Sequence, residues 1–372
     1  MRKFLNAIII SAVILTMVTA IFPAPLMADD FGYVFTLTEA KEMAVKSSPK
    51  ITSGLLNEEL ARVNERDAWV AYEQAKANYV NTAGKVESIK LSMEAAKKAY
   101  DAAVNARKDG AVNMDKLKLQ VAHETETLYL QLLSMDNTIE MMRKNYDMQV
   151  SMARIETVKY NLGMSTQFAV DQQRQKTMEV ERQLTTLNNT KTSMQWSFNR
   201  SIGRNPEQPF GLAPVTFQAV EHEDQKGGEK KAKEELLAIE QFNRTIEDKR
   251  LEIQDKLYTA SDKVEKLELE IDQLSIKIED TEYSVSQAMK NLHENLALTR
   301  QKLIDNRSTY DMAQKQHDAE KLQYELGMIA KIAYEATEVA FAQKKADYEQ
   351  AVYDYYLATK KVSLAEQGIL LN

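Results

Sequence analysis

The chain has 372 residues and a formal net charge of −7, with 28% charged, 44% hydrophobic and 8% aromatic residues, 11 Gly, 6 Pro and no Cys. An acidic chain without a basic patch makes a poor nucleic-acid ligand, and the lack of cysteine excludes disulfides, a catalytic thiol and lipid attachment through an N-terminal Cys. Scarce glycine and proline beside abundant Ala, Glu, Lys, Gln and Leu point to long helices rather than a compact globular core.

Residues 1–28 stand apart. Arg2 and Lys3 precede an apolar run over 4–22, then Pro23, Pro25 and Ala28 before Asp29 and Asp30, which is the order of a secretory signal. Left uncut, the same run is long enough to anchor the chain in a membrane. Its removal takes the formal charge from −7 to −9, and no run of 18 apolar residues follows Asp29.

Residues 31–37 are aromatic and β-branched and read as an edge strand. Thr36 and Glu39 fit a capping box, so a first helix is expected over 39–47, stopping at Ser48-Pro49. Helical patterning resumes from 50 to about 108, with Gly84 inside it, and Lys108-Asp109-Gly110-Ala111 signals a turn. A third helix is expected from 113 to 161, ending at Gly163, and a returning helix over 166–201. From Gly110 to Gly163 is 53 residues, about 80 Å of helix, too long for a compact domain. The segment 203–214 holds Pro206, Pro209 and Pro214; residues 215–220 read as a short strand and 221–231 as a charged linker. From Ala232 to Glu366 there is no proline and one glycine, Gly327, which reads as two long helices joined there.

The second half repeats the first at an offset of 164. Tyr310-Asp311-Met312 follows Tyr146-Asp147-Met148 by 164 residues, as Tyr324-x-Leu326-Gly327-Met328 follows Tyr160-x-Leu162-Gly163-Met164, and Val285 and Leu292 follow Val121 and Leu128. The expected domains are a leader (1–28), a first helical hairpin (29–203), a linking equatorial segment (204–231) and a second hairpin (232–372). Within the last, Val264, Leu267, Ile271, Leu274, Ile278, Val285, Ala288 and Leu292 form a heptad seam. A second row, Leu269, Ile276 and Tyr283, points elsewhere. A helix with two seams has two neighbours, as in a tube of helices; a helix in an ordinary bundle accounts for the rows equally well.

Catalytic and metal-binding patterns are absent. His123, His222, His293 and His317 are scattered and read as surface or seam residues, and no phosphate-cradling glycine loop or nucleophile elbow occurs. No enzymatic activity, cofactor or metal is expected.

The opening Leu37-Thr38-Glu39-Ala40 through Ala44 to Ser48-Pro49, the paired Tyr-x-Leu-Gly motifs, the returning helices ending near Gly203 and Gly368, and the Pro/Gly-rich link together resemble the TolC-like outer-membrane efflux family over the whole mature chain. That resemblance implies a homotrimeric α-barrel, each chain giving two hairpins whose turns dock onto a periplasmic adaptor serving an inner-membrane pump. The docking residues would be Tyr160, Leu162, Gly163 and Met164 with Tyr324, Leu326, Gly327 and Met328. The family usually carries an acid six positions after the tip glycine; here Ala169 and Ala333 stand there, and Asp171 and Glu335, two residues on, are the candidate tip acids. The family also interrupts each half with strands that close a barrel in the outer membrane. No alternating stretch of the 9–11 residues that a membrane strand needs occurs over 68–116 or 252–282, where Lys108 to Val112 and Thr259-Ala260-Ser261-Asp262 read as simple turns.

The chain is therefore expected to be all-α: two tandem coiled-coil hairpins with a small mixed equatorial patch, exported to the cell envelope. Two functions remain open, a passive conduit joining pump and adaptor to the outer envelope, and a non-conducting coiled-coil scaffold. An adaptor that docks its own hairpin is disfavoured, because no lipoyl-like or β-barrel segments flank a single hairpin.

Overall fold

The computed structural model describes residues 32–82, 86–217, 225–255 and 261–371. The expected secretory signal, Gly84, residues 218–224 with His222, and residues 256–260 lie outside them.

Strand β1 (Val34–Phe35) leads into α1 (Leu37–Ser47). The capping box is present: the Thr36 hydroxyl accepts from the Glu39 N–H at 3.3 Å, and the Glu39 carboxylate accepts from the Thr36 N–H at 2.9 Å. Ser48 then opens α2 (Pro49–Asn81), its side chain accepting from the Ile51 N–H at 3.2 Å. Pro49 occupies the first turn, where its missing N–H leaves no bond unmade. Helix α3 (Glu87–Asn161) runs for 75 residues, about 110 Å, and α4 (Gln167–Ser201) returns along it. After β2 (Gly211–Leu212) come α5 (Gln225–Glu234), α6 (Leu237–Asp255), the 65-residue α7 (Ser261–Glu325) and α8 (Lys331–Ala365).

Helix α3 organises the layer. Helix α2 packs along its first half and α4 along its second, shown by the stacked pair Tyr72 and Tyr100 and by the Gln173 amide donating to Gln149 at 2.8 Å. Helix α8 packs on both α7 and α3, so across the lower half the order is α4, α3, α8, α7. The expected all-α architecture holds.

The main core lies at the level where the chain re-enters, around Phe35, Leu37, Tyr129, Leu130, Phe198 and Phe210. Strands β1 and β2 pair in parallel, Val34 opposite Gly211 and Phe35 opposite Leu212. The buried Tyr129 hydroxyl sits 2.8 Å from the Phe35 carbonyl and 2.7 Å from that of Ala213, tying both strands to α3.

Four local expectations are corrected. The turn at Lys108–Ala111 does not form: α3 runs straight through Gly110, and the break falls after Asn81 instead. Asp109, which suggested the turn, is held by Arg244 and by Gln241 (2.9 Å) on α6. The second strand among the described residues is Gly211–Leu212, and 215–217, the described part of the expected strand over 215–220, are not in a strand. Val215 and Phe217 are drawn down onto the core instead, where Phe217 stacks on Tyr356 at 3.8 Å. The expected linker over 221–231 is helical from Gln225, through Gly227 and Gly228. The small residues let α5 approach closely, Gly228 lying against Met289 and Glu366 and Ala232 packing with Val285, Met289 and Ala365. Finally, the stretch from Ala232 to Glu366 is not two helices: α5 ends at Glu234, α6 spans Leu237–Asp255, and Ser261, expected in a turn, begins α7.

Gly110 supplies a direct check. A Cβ built there meets nothing within 4 Å, so Gly110→Ala is expected to stabilise the fold by about 0.5–1 kcal/mol, the ordinary helix-interior gain. Chemical denaturation measures it; a destabilised variant would mean that the helix is not continuous there.

Candidate functional site: the paired hairpin tips

The helix-to-helix turns after α3 and α7 are built alike. At the first, the Gly163 N–H donates to the Tyr160 carbonyl at 2.9 Å and the Met164 N–H to that of Lys159 at 2.8 Å. At the second, Gly327 donates to Tyr324 at 2.9 Å and Met328 to Gln323 at 2.8 Å. This is a Schellman closure, which places the glycine in the left-handed region; φ is +73° at Gly163 and +72° at Gly327. A Cβ at either glycine meets nothing within 4 Å. Backbone conformation, not crowding within the chain, therefore requires glycine.

The side chains around these turns are apolar and uncovered. Leu162, Met164, Leu326 and Met328 are each two-thirds or more exposed, as is Phe168 at the start of α4. Since α3 and α8 run antiparallel in contact, both turns lie at the same end of the layer, and each exposes apolar side chains of the kind that mark a protein contact. Tyr160 is exposed, whereas Tyr324 is half-buried and stacks on Tyr334 at 5.0 Å. Phe168 escaped the sequence reading because it lies outside the Tyr-x-Leu-Gly motif; its signal was a large aromatic in the first turn of a returning helix. The tips also differ in capping: Thr166 accepts from the Ala169 N–H at 3.2 Å, while Ala330 has no side chain to do so.

The two candidate tip acids have different surroundings. Asp171 is exposed on α4 and accepts from the Gln167 amide at 3.0 Å. Glu335 is mostly buried between α8 and α3, accepting from the Ser151 hydroxyl at 3.1 Å and pairing with Lys331 at 3.0 Å. That bond raises the Lys331 pKa.

A second cluster joins the halves at mid-height. Glu126 on α3 is buried, accepts from the Tyr356 hydroxyl of α8, and pairs with Lys41 of α1 at 3.2 Å. Nδ1 of His123 lies 3.9 Å from its other oxygen. Burial pushes the Glu126 carboxyl up, but His123, Lys41, Tyr356 and Lys360 together outweigh burial, and its pKa falls below the ordinary 4.5. Burial and the adjacent carboxylate push the Tyr356 hydroxyl up. Glu126 thus joins α1, α3 and α8 through Lys41 and Tyr356, a structural brace, while Nδ1 of His123 makes no hydrogen bond. Of the remaining histidines, His317 stacks on Phe341 at 4.7 Å and Nε2 of His293 is buried without a partner. Among the described residues no group of His, Asp and Glu is placed to hold a metal ion, and no helix is long and apolar enough to cross a membrane.

Five residues separate α2 from α3, and five separate α6 from α7. Neither gap can hold a membrane strand of about 9–11 residues. Among the described residues the only strands are the two-residue β1 and β2.

No protein-family model and no curated protein matches the sequence. Solved structures do match the fold. The Campylobacter jejuni CmeC outer membrane channel aligns with a TM-score of 0.58 and 10% identity, over 89% of this chain and 85% of that one. The Vibrio cholerae outer membrane protein VceC aligns at 0.56 and 9%, over 90% and 97%. The open-state Neisseria gonorrhoeae MtrE outer membrane channel aligns at 0.52 and 11%, over 89% of each chain. At such identities the likeness is one of fold: this chain has the long-helix fold of the TolC-like outer-membrane channels, without barrel strands among its described residues.

Proposed function

We propose that the chain is an export component of the TolC-like kind, in which three copies close into a passive helical conduit in the cell envelope. Its tip turns meet the hairpin of a periplasmic adaptor, and an inner-membrane pump supplies the energy. The observation that carries this reading is the pair of apolar Schellman turns at the same end of the layer, closing helices about 100 Å long. An uncovered apolar patch built twice on the same pattern is suited to a repeated helical partner. The row Leu269, Ile276 and Tyr283, exposed in the single chain, supplies the second seam that a tube has to cover.

A second reading, a non-conducting envelope scaffold, is favoured by the α2–α3 and α6–α7 connections, whose five residues each are fewer than the roughly 9–11 of a membrane strand. Light scattering and electron microscopy on residues 29–372 separate the two. A trimer with a central lumen is expected. A monomer or a solid rod would overturn the conduit and leave the scaffold.

A further inference from the structure

The seam between α3 and α8 is polar, and its register is fixed. Ser134 bonds Gln350, Asn137 bonds Glu349, Lys144 pairs with Glu338 at 3.5 Å, and Ser151 bonds Glu335. In each pair the two residue numbers add to between 482 and 486. At the 164-residue offset α3 corresponds to α7, and α8 to α4. The open face of α7 is therefore the counterpart of the face that α3 turns to α8. Likewise, the open face of α4 is the counterpart of the face that α8 turns to α3. These open faces lie on opposite sides of the layer, so one chain cannot close them on itself.

We propose that a second copy of the chain closes them, α7 of one copy running antiparallel to α4 of the next, with the Lys315 ammonium against the Asp171 carboxylate. The inference rests on the ring of helices proposed above and specifies its contact. Lys315 and Asp171 are the counterparts of Ser151 and Glu335, whose hydrogen bond spans the intrachain seam at 3.1 Å. Both are exposed, and among the described residues neither makes an ion pair. The same register brings Met178 of α4 against Ile304 of α7, large apolar side chains that are 57% and 54% exposed in the single chain.

Charge also excludes the competing arrangement. Lys144 holds Glu338 across the intrachain seam, and the counterpart of Glu338 on α4 is Arg174. A copy that offered α4 to another copy's α3 would set Arg174 against Lys144, so the two seams cannot be exchanged. Such like-charge contacts select register and partner.

The absence of native cysteine makes the test clean. Asp171→Cys combined with Lys315→Cys puts the only two thiols of each chain at the proposed contact. In the assembled protein a short bis-maleimide reagent is expected to join most chains into covalent multimers. Asp171→Cys combined with Leu322→Cys, two turns or about 10 Å further along α7, is expected to join few. Asp171→Lys alone is expected to weaken association roughly threefold to tenfold, and adding Lys315→Asp to restore it, a recovery that a misfolded variant would not show. A ring that assembles but does not cross-link at 171 and 315 overturns this pairing and leaves the conduit standing. A chain that stays monomeric overturns both.

Discussion

Glu126→Ala is expected to destabilise the protein by about 3–5 kcal/mol, the cost of breaking a buried ion pair by removing one partner. Glu126 is 2% exposed, and its carboxylate takes up Lys41 of α1 and the Tyr356 hydroxyl of α8, with Nδ1 of His123 3.9 Å away. Lys360, itself held below its ordinary pKa by burial, draws on the same charge. Removing the carboxylate leaves two cations and a buried hydroxyl with water as the only replacement. Since Tyr356 belongs to the second half of the chain, the damage should fall on the docking of the halves, giving a lower unfolding midpoint with little change in helix content well below it. A loss under about 1 kcal/mol would mean that Glu126 is solvated and the brace is not formed.

The pH dependence follows from the direction of the shift. A carboxyl whose pKa is lower folded than unfolded contributes stability that is complete above the unfolded value and is lost as pH falls through the folded one. With the ordinary value at 4.5, the difference in stability between wild type and Glu126→Gln should be constant above about pH 5 and shrink below about pH 4. Glutamine keeps an acceptor for Tyr356 and removes only the charge, so it isolates the ionic part. A difference that grows on acidification would reverse the sign and require a carboxyl kept neutral by burial.

How much of this was legible in the sequence depended on whether the deciding interactions were local. The capping box at Thr36 and Glu39 and the glycine closures at 163 and 327 are complete within six residues, and the sequence signals found them. The Lys108-Asp109-Gly110 signal was also local, but it was overruled from 135 residues away, where Arg244 takes up Asp109. One glycine in a helix costs only about 1 kcal/mol, less than long-range packing supplies. Gly228 misled in the same way: read as a linker residue, it lies in α5 against Met289 of α7 and Glu366. The Glu126 brace was not legible at all. Glu124 and Glu126 look alike in the sequence, yet Glu124 meets an exposed Lys50 and Glu126 is sealed by partners 85 and 230 residues distant. The seam row was legible because heptad spacing is itself local.

Replacing both tip glycines with tryptophan is expected to abolish export, a loss of roughly tenfold or more, while leaving a folded, assembled protein. The energetic separation makes this a strong test. A residue with a Cβ forced into the left-handed region costs about 1–2 kcal/mol, and a Cβ at either position meets nothing within 4 Å. The intrachain penalty is thus small against helices of 75 and 65 residues. A partner seated on Leu162, Met164, Leu326 and Met328 would instead meet an indole at the centre of its contact. There, a mismatch of 1.4 kcal/mol already means a tenfold loss of affinity, and central positions usually lose more. Gly163→Asn with Gly327→Asn is the matching control, since asparagine tolerates positive φ and projects far less; it should retain most of the export. The assay is dye accumulation in cells carrying each variant as their only copy, with the oligomeric mass of each protein measured alongside. Unchanged export by an assembled double tryptophan variant would show that the turns are plain helix ends, and that any partner meets the chain elsewhere.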